Sequence, residues 1–203
     1  MKQLHNYIIK HSNALISDQD FEIIMSHFIH KKFRRKQYFL QEGQVCTHLA
    51  FVIKGAMRQY FIDDKGIEHF MNLSIENWWV GDRESWAMHT PSIYNIDASE
   101  DSELLLISRS DILKLTQLFP AFNEMVRGMD ERSNIESQKR IVSAISFNAE
   151  RRYSEFTNDY PDLLKRFPHY IIASYIGITK ETLSRVRNQY HQKQVLNVNT
   201  GNI

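Results

Sequence analysis

The chain contains a single cysteine, Cys46, among its 203 residues. One thiol excludes an intramolecular disulfide and an iron–sulfur cluster held by a set of thiolates. No stretch approaches the roughly 18 apolar residues of a membrane-spanning helix. Met1-Lys-Gln-Leu-His5 leads into mixed polar residues rather than the apolar core of a signal peptide. A soluble, cytoplasmic protein without membrane partners is expected. The nine histidines fall into no HxxxH pattern and there is no CxxC. His27 and His30 share a helical face without a further ligand in view, so the histidines read as scattered surface or core residues. No cofactor is expected. No nucleophile–base pairing, metal spacing or phosphate-binding loop stands out, which argues against an enzyme. Internal repeats and low-complexity tracts are absent.

A strong overall charge is missing too: the formal net charge is +1. Its distribution is uneven. Residues 1–148 carry 17 Lys or Arg against 19 Asp or Glu, whereas residues 149–203 carry 8 against 5. Between Lys165 and Lys193 stand six basic residues and one acid, Glu181. A positive segment on a nearly neutral chain is the electrostatic footprint of a nucleic-acid contact. The hydrophobic fraction of 42% is that of a protein with a real core.

Residues 2–16 and 17–29 read as short helices, the second opened by a capping box of Ser17 and Asp20. From about residue 31 the texture changes to short aromatic and β-branched runs. His48–Ile53, Ala56–Ile62, Ile67–Leu73, Ile93–Ala98 and Glu103–Ile107 have strand length, with turn chemistry at Lys54-Gly55 and Asp63-Asp-Lys-Gly66. Such spacing predicts an antiparallel barrel or jelly roll over about 31–107. Ser108-Arg-Ser-Asp111 caps another helix through about Phe119. A long helix follows from Pro120, with Phe122, Met125, Val126 and Met129 beginning an apolar stripe that Ile135, Ile141, Val142 and Ile145 extend less regularly. That stripe is a dimer seam or part of a plain connector; the seam is the expectation carried forward. Ala149–Asn158 reads as a further helix, ended by Pro161. The tryptophans Trp78, Trp79 and Trp86 either line an apolar effector pocket or pack at a loop edge.

Residues 169–188, HYIIASYIGITKETLSRVRN, meet the demands of a helix-turn-helix. Ala173 is small where the second helix overlies the first, and Gly177 suits a turn with positive φ. Ile172, Ile176, Ile178, Leu183 and Val186 fill the angle between the helices, and Thr179 can cap the second. Helical spacing then turns Lys180, Glu181, Ser184, Arg185 and Asn188 outward, where a recognition helix meets base edges in the major groove. Thr179, Lys180, Thr182 and Arg187 are expected at phosphates, which position without specifying.

This order of barrel, long helix and helix-turn-helix resembles the cyclic-AMP receptor protein/FNR (CRP/FNR) family of bacterial transcription regulators. The resemblance rests on Gln41-Glu-Gly43, Phe51-Val-Ile-Lys-Gly55, the Gly66 turn, Val80-Gly-Asp82 and Gly177-Ile-Thr-Lys-Glu-Thr-Leu-Ser-Arg185. It implies an α+β chain in three parts: an effector-sensing jelly roll with flanking helices at 1–118, a dimerisation or connector helix at 119–148, and a DNA-binding domain at 149–203. It also implies a homodimer on a palindromic operator, with Glu181, Ser184 and Arg185 as the base-reading trio. The expected partners are double-stranded DNA, a second copy of the chain, RNA polymerase and an unidentified small-molecule effector. The alternative is a ligand-binding sensor whose helix-turn-helix serves protein interaction.

Two departures from the family stand out. Its cyclic-nucleotide binders carry Gly-Glu-Leu and, about ten residues later, an arginine that neutralises the cyclic phosphate. Here the corresponding segments read Gly81-Asp82-Arg83 and Tyr94-Asn95-Ile96, with no arginine in the second. Gly81, Asp82, Arg83, Tyr94 and Asn95 are thus the candidate effector residues, and cyclic AMP is not the expected effector. The winged hairpin that normally follows the reader helix is also cut short, leaving Val195–Ile203 as a stub.

Overall fold

Helices α1 (Lys2–Lys10) and α2 (Asp18–Ser26) open the chain in a computed structural model that describes residues 2–200, with side chains through Tyr190 and at Gln192. The start of α2 follows its local chemistry. Asp20 N–H donates to Ser17 Oγ at 3.1 Å and Ser17 N–H to the Asp20 carboxylate at 3.4 Å, closing the capping box. Both helices are shorter than the periodicity predicts. By Ile29 the chain has become strand, because Ile29 pairs with Leu106 in a sheet ladder.

Eight strands follow: β1 (Ile29–Phe33), β2 (Tyr38–Leu40), β3 (His48–Lys54), β4 (Met57–Ile62), β5 (Glu68–Ser74), β6 (Trp79–Val80), β7 (Asn95–Ala98) and β8 (Ser102–Ser108). They form two antiparallel four-stranded sheets, ordered β1-β8-β3-β6 and β2-β7-β4-β5. The five predicted runs correspond to β3, β4, β5, β7 and β8. The short β1, β2 and β6 went unread, being too brief or too charged to show a period. Strands β3 and β8 are apolar on both faces for a reason. Ala50, Val52, Leu104 and Leu106 point between the sheets, while Leu49, Phe51, Leu105 and Ile107 meet the helices outside. A strand covered on both sides reads as a continuous apolar run rather than an alternation.

The outer cover consists of α1, α2, α4 (Arg109–Leu118) and the first turns of α5 (Pro120–Ser146). Between β6 and β7 a short helix, α3 (Arg83–Met88), interrupts the strands. Phe122 and Met125 of α5 are fully buried in this core and Met129 nearly so. This corrects the expected dimer seam: these side chains serve their own barrel and are not available to a partner. Exposed apolar residues on α5 lie elsewhere, at Ile135, Ile141, Val142 and Ile145.

The chain divides into two units, residues 1–135 and 136–203, with the boundary inside α5. The second unit holds the end of α5, then α6 (Ala149–Asp159), α7 (Pro161–Arg166), α8 (His169–Tyr175) and α9 (Lys180–Thr200). Pro161 does more than end a helix. It occupies the first turn of α7, where its missing N–H leaves nothing unsatisfied. In place of a stub, the backbone of α9 continues through Thr200, so no strand follows the reader helix among the described residues. Residues 201–203 of the expected stub lie outside them. No described helix is long and apolar enough to cross a membrane.

Candidate nucleic-acid interface and effector position

Helices α8 and α9 are joined by a tight turn. Gly177, at φ 71°, takes the left-handed conformation that a side chain would strain. Its N–H donates to Ser174 O at 3.0 Å, and Ile178 N–H to Ala173 O at 2.9 Å. Ile172, Ala173, Leu183 and Val186 are buried in the angle between the helices. Thr179 caps α9: its Oγ1 accepts from Thr182 N–H at 3.2 Å. With Leu183 and Val186 facing inward, Lys180, Glu181, Ser184, Arg185 and Asn188 are all exposed. Thr179 is exposed at the start of the same surface, and Thr182 and Arg187 are half-buried beside it. The structure therefore brings all eight residues singled out from the sequence together on the first turns of one helix. The Arg187 guanidinium lies against the His169 imidazole, 2.9 Å from Nε2. Hydrogen bonds from its own backbone N–H and from Thr179 hold the Glu181 carboxyl below the usual range, so it is ionised at neutral pH.

Sequence reasoning missed the residue that locks this turn. Arg152, on α6, donates from Nε to Phe147 O at 2.9 Å and from Nη2 to Ala144 O at 3.1 Å. Its Nη1 donates to Gly177 O at 3.0 Å. One guanidinium thus joins carbonyls at the end of α5 to the turn before the reader helix. A second tie runs from Arg140, stacked 4.2 Å from the Tyr175 ring and donating to Tyr175 O at 3.2 Å. In the sequence both arginines look like ordinary solvated charge. Only the folded carbonyls reveal their use.

The candidate effector residues lie around the start of α3. Gly81, at φ 153°, takes a backbone conformation that a side chain would strain, and a Cβ there would stand 2.5 Å from Leu49 Cδ2. Asp82 is buried and caps α3: Oδ1 accepts from Glu84 N–H at 3.1 Å and Ser85 N–H at 3.3 Å. Its Oδ2 accepts from Ser92 Oγ at 2.7 Å. Ser92, not Tyr94 or Asn95, is the side chain that reaches Asp82 from the following segment. Tyr94 is held nearby, its N–H donating to Ser92 Oγ at 3.0 Å. Burial, with the charges of Asp82 and Glu84, pushes its hydroxyl up. Asn95 is buried and accepts Glu42 N–H at 3.2 Å. Arg83 pairs with Asp130 on α5. The start of α3, where an anion would bind, is thus occupied by the chain's own carboxylate.

The tryptophans separate. Trp79 packs edge-on against Phe51 in the core, at 5.4 Å between ring centres. Trp86 lines a cavity of about 190 Å³ together with Leu49, Ile112, Val126 and Met129. Among the described residues no group of three or more His, Cys, Asp or Glu side chains is placed to hold a metal ion.

Comparison with known proteins agrees with this architecture. Residues 30–118 match the family model of the cyclic nucleotide-binding domain. No curated protein sequence matches the chain significantly. Among solved structures, FixK2 from Bradyrhizobium japonicum superposes with a TM-score of 0.71 at 16% identity, over 82% of this chain and 86% of that one. The global regulator CLP of Xanthomonas campestris, described as responsive to c-di-GMP, gives 0.66 at 14% identity, over 88% and 93%. The catabolite activator protein of Thermus thermophilus gives 0.54 at 20% identity, over 89% and 86%. Residues 30–118 are similar to the cyclic nucleotide-binding domain, and the fold is that of the CRP/FNR family.

Proposed function

We propose that the protein is a sequence-specific DNA-binding transcription regulator, working as a homodimer on a palindromic operator. One observation carries this reading: the exposed row Lys180, Glu181, Ser184, Arg185 and Asn188 on α9, opposite the buried Leu183 and Val186. A helix so presented matches the major groove. Arg185 can donate twice to guanine, Glu181 can accept from a cytosine amino group, and Ser184 can pack beside a thymine methyl. The expected half-site has a TGA-like core, repeated in inverted orientation about one helical turn away. Thr179, Thr182 and Arg187 hold phosphates. The connector within 119–148 supplies the dimer seam through its exposed Ile141, Val142 and Ile145, in place of the buried Phe122, Met125 and Met129.

The barrel domain of 1–118 is an effector domain for a ligand other than cyclic AMP. Tyr94-Asn95-Ile96 offers no arginine to neutralise a cyclic phosphate, and Arg83 is already paired with Asp130. RNA polymerase is the downstream partner, and the bacterial cytoplasm the setting. Selection of bound sequences from random DNA tests the reading: it should return an inverted repeat. Recovery of no enriched sequence, with no salt-dependent binding to any duplex, contradicts it.

A further inference from the structure

On the helix side of the β1-β8-β3-β6 sheet the core holds a gap. It is lined by Leu49 of β3, Trp86 of α3, Ile112 of α4, and Val126 and Met129 of α5. Every residue of its lining lies in the first unit. The space between the two sheets is a different place, packed with Ala50, Val52, Ile96 and Leu104.

The size of the gap needs a reason. Protein interiors pack to crystal-like density and leave few voids larger than a water molecule. Here about 190 Å³ stays unfilled, although Leu49, Ile112 and Met129 around it are buried members of the core. Side chains that face such a void lose contacts that a filled core would give them. An apolar cavity of about 150 Å³ is enough to hold benzene. This one has room for a six-membered ring and a small substituent.

The lining restricts the occupant further. Trp86 and Met129 present a flat ring and a polarisable thioether, which suit an apolar partner of irregular shape. The indole Nε1 of Trp86 is buried without an acceptor among the described residues, so turning the ring breaks no hydrogen bond. The charges in the lining are Arg83 and Asp130, and they neutralise each other in an ion pair between α3 and α5. Asp130 is exposed and Arg83 half-buried, which puts the pair on the solvent side. An ionic ligand would give up its hydration there without finding an unpaired counter-ion. An uncharged apolar one loses little on leaving water and gains contact with every wall.

We propose that this cavity binds a small uncharged apolar molecule, a single six-membered ring or an aliphatic group of the same bulk. Taking that molecule as the effector rests on the effector-domain reading above. The cavity walls include the first turns of α5, and α5 continues past residue 135 into the second unit. A ligand that braces those turns acts on the helix that leads to the reader domain.

The test uses the full chain with labelled methionine methyl groups, the Met129 signal being assigned by its loss in Met129→Leu. Toluene is the probe, and benzoate, of similar size, is the charged control. Toluene should move the Met129 signal saturably, with a Kd of about 1 mM or tighter. Benzoate should bind at least about tenfold more weakly. Val126→Phe, which fills part of the cavity, should weaken toluene binding by about tenfold or more. If that variant is poorly folded by circular dichroism, Ala87→Leu fills the cavity from its solvent side and should do the same. Three results overturn the proposal: no saturable shift of the Met129 signal, toluene binding undiminished in the folded filled variant, or benzoate bound as tightly as toluene. The role as effector is read separately on the selected operator duplex, where saturating toluene should change the affinity of the wild type by about twofold or more. Saturable toluene binding without that change would strike the effector role and leave the binding site standing.

Discussion

The starts of α3 and α9 each carry a carboxylate, and the two are used in opposite ways. At the start of α3, Asp82 is buried and turned inward, where two backbone N–H groups and Ser92 take up its oxygens. At the start of α9, the capping role falls to Thr179, which leaves Glu181 exposed beside Arg185 on the outward face. The first helix start is closed by its own side chains; the second keeps its polar groups for something outside. An ion pair within the barrel follows the first pattern. Arg58 and Asp97, on neighbouring strands β4 and β7, form a buried two-point ion pair at 2.6 and 2.9 Å, with the guanidinium over the Tyr60 and Phe70 rings. Buried polar groups paired within the chain stabilise a fold, whereas exposed ones stay within reach of a partner.

The largest effect is expected at Arg58. Arg58→Ala leaves Asp97 buried without its cation and should destabilise the barrel by about 3–5 kcal/mol, read by urea unfolding. A loss below about 1 kcal/mol would mean the pair is not internal to the fold. Asp82→Ala comes next, with about 1–2 kcal/mol expected from the lost cap. The wild type itself should show no heat of binding with cyclic AMP or cyclic GMP in titration calorimetry. Micromolar binding of either would show that the start of α3 is open after all.

In the second unit, Arg152→Ala removes four carbonyl partners at once. About 1–2 kcal/mol of stability should be lost, the guanidinium being partly exposed. Hydrogen exchange at Gly177 and Ile178 should accelerate while the amides of β3 keep their protection. Unchanged exchange at the turn would remove Arg152 from the account. The smallest effect belongs to Arg187→Ala, which should weaken all duplexes alike and lower the salt slope by about one unit.

The same contrast explains how much the sequence showed. Residues on α9 were legible because a helix-turn-helix fixes its apolar positions, and every position not buried must face out. Strands β3 and β8 were legible as apolar runs, since both of their faces are covered. What escaped notice was polar and internal. Nothing in Ala149-Glu-Arg-Arg152 shows that Arg152 will join α5 to the turn, because its partners are main-chain carbonyls from segments distant in sequence. Ser92 was passed over for the same reason: serine is common in loops, and its meeting with Asp82 depends on the α3 fold. The stripe Phe122, Met125 and Met129 was read correctly as apolar and assigned to the wrong neighbour. Periodicity reports which face is buried but not whether a barrel or a second copy buries it.

If the exposed face of α9 reads bases, replacing Arg185 must change base preference and not affinity alone. Arg185→Ala and the wild type are each titrated onto the selected operator and onto a set of operators changed at one base pair at a time. The variant should lose about 1–3 kcal/mol on the best site and lose its preference at a single position within each half-site, leaving the others intact. A uniform loss across the whole set, or no loss on any duplex, would contradict it.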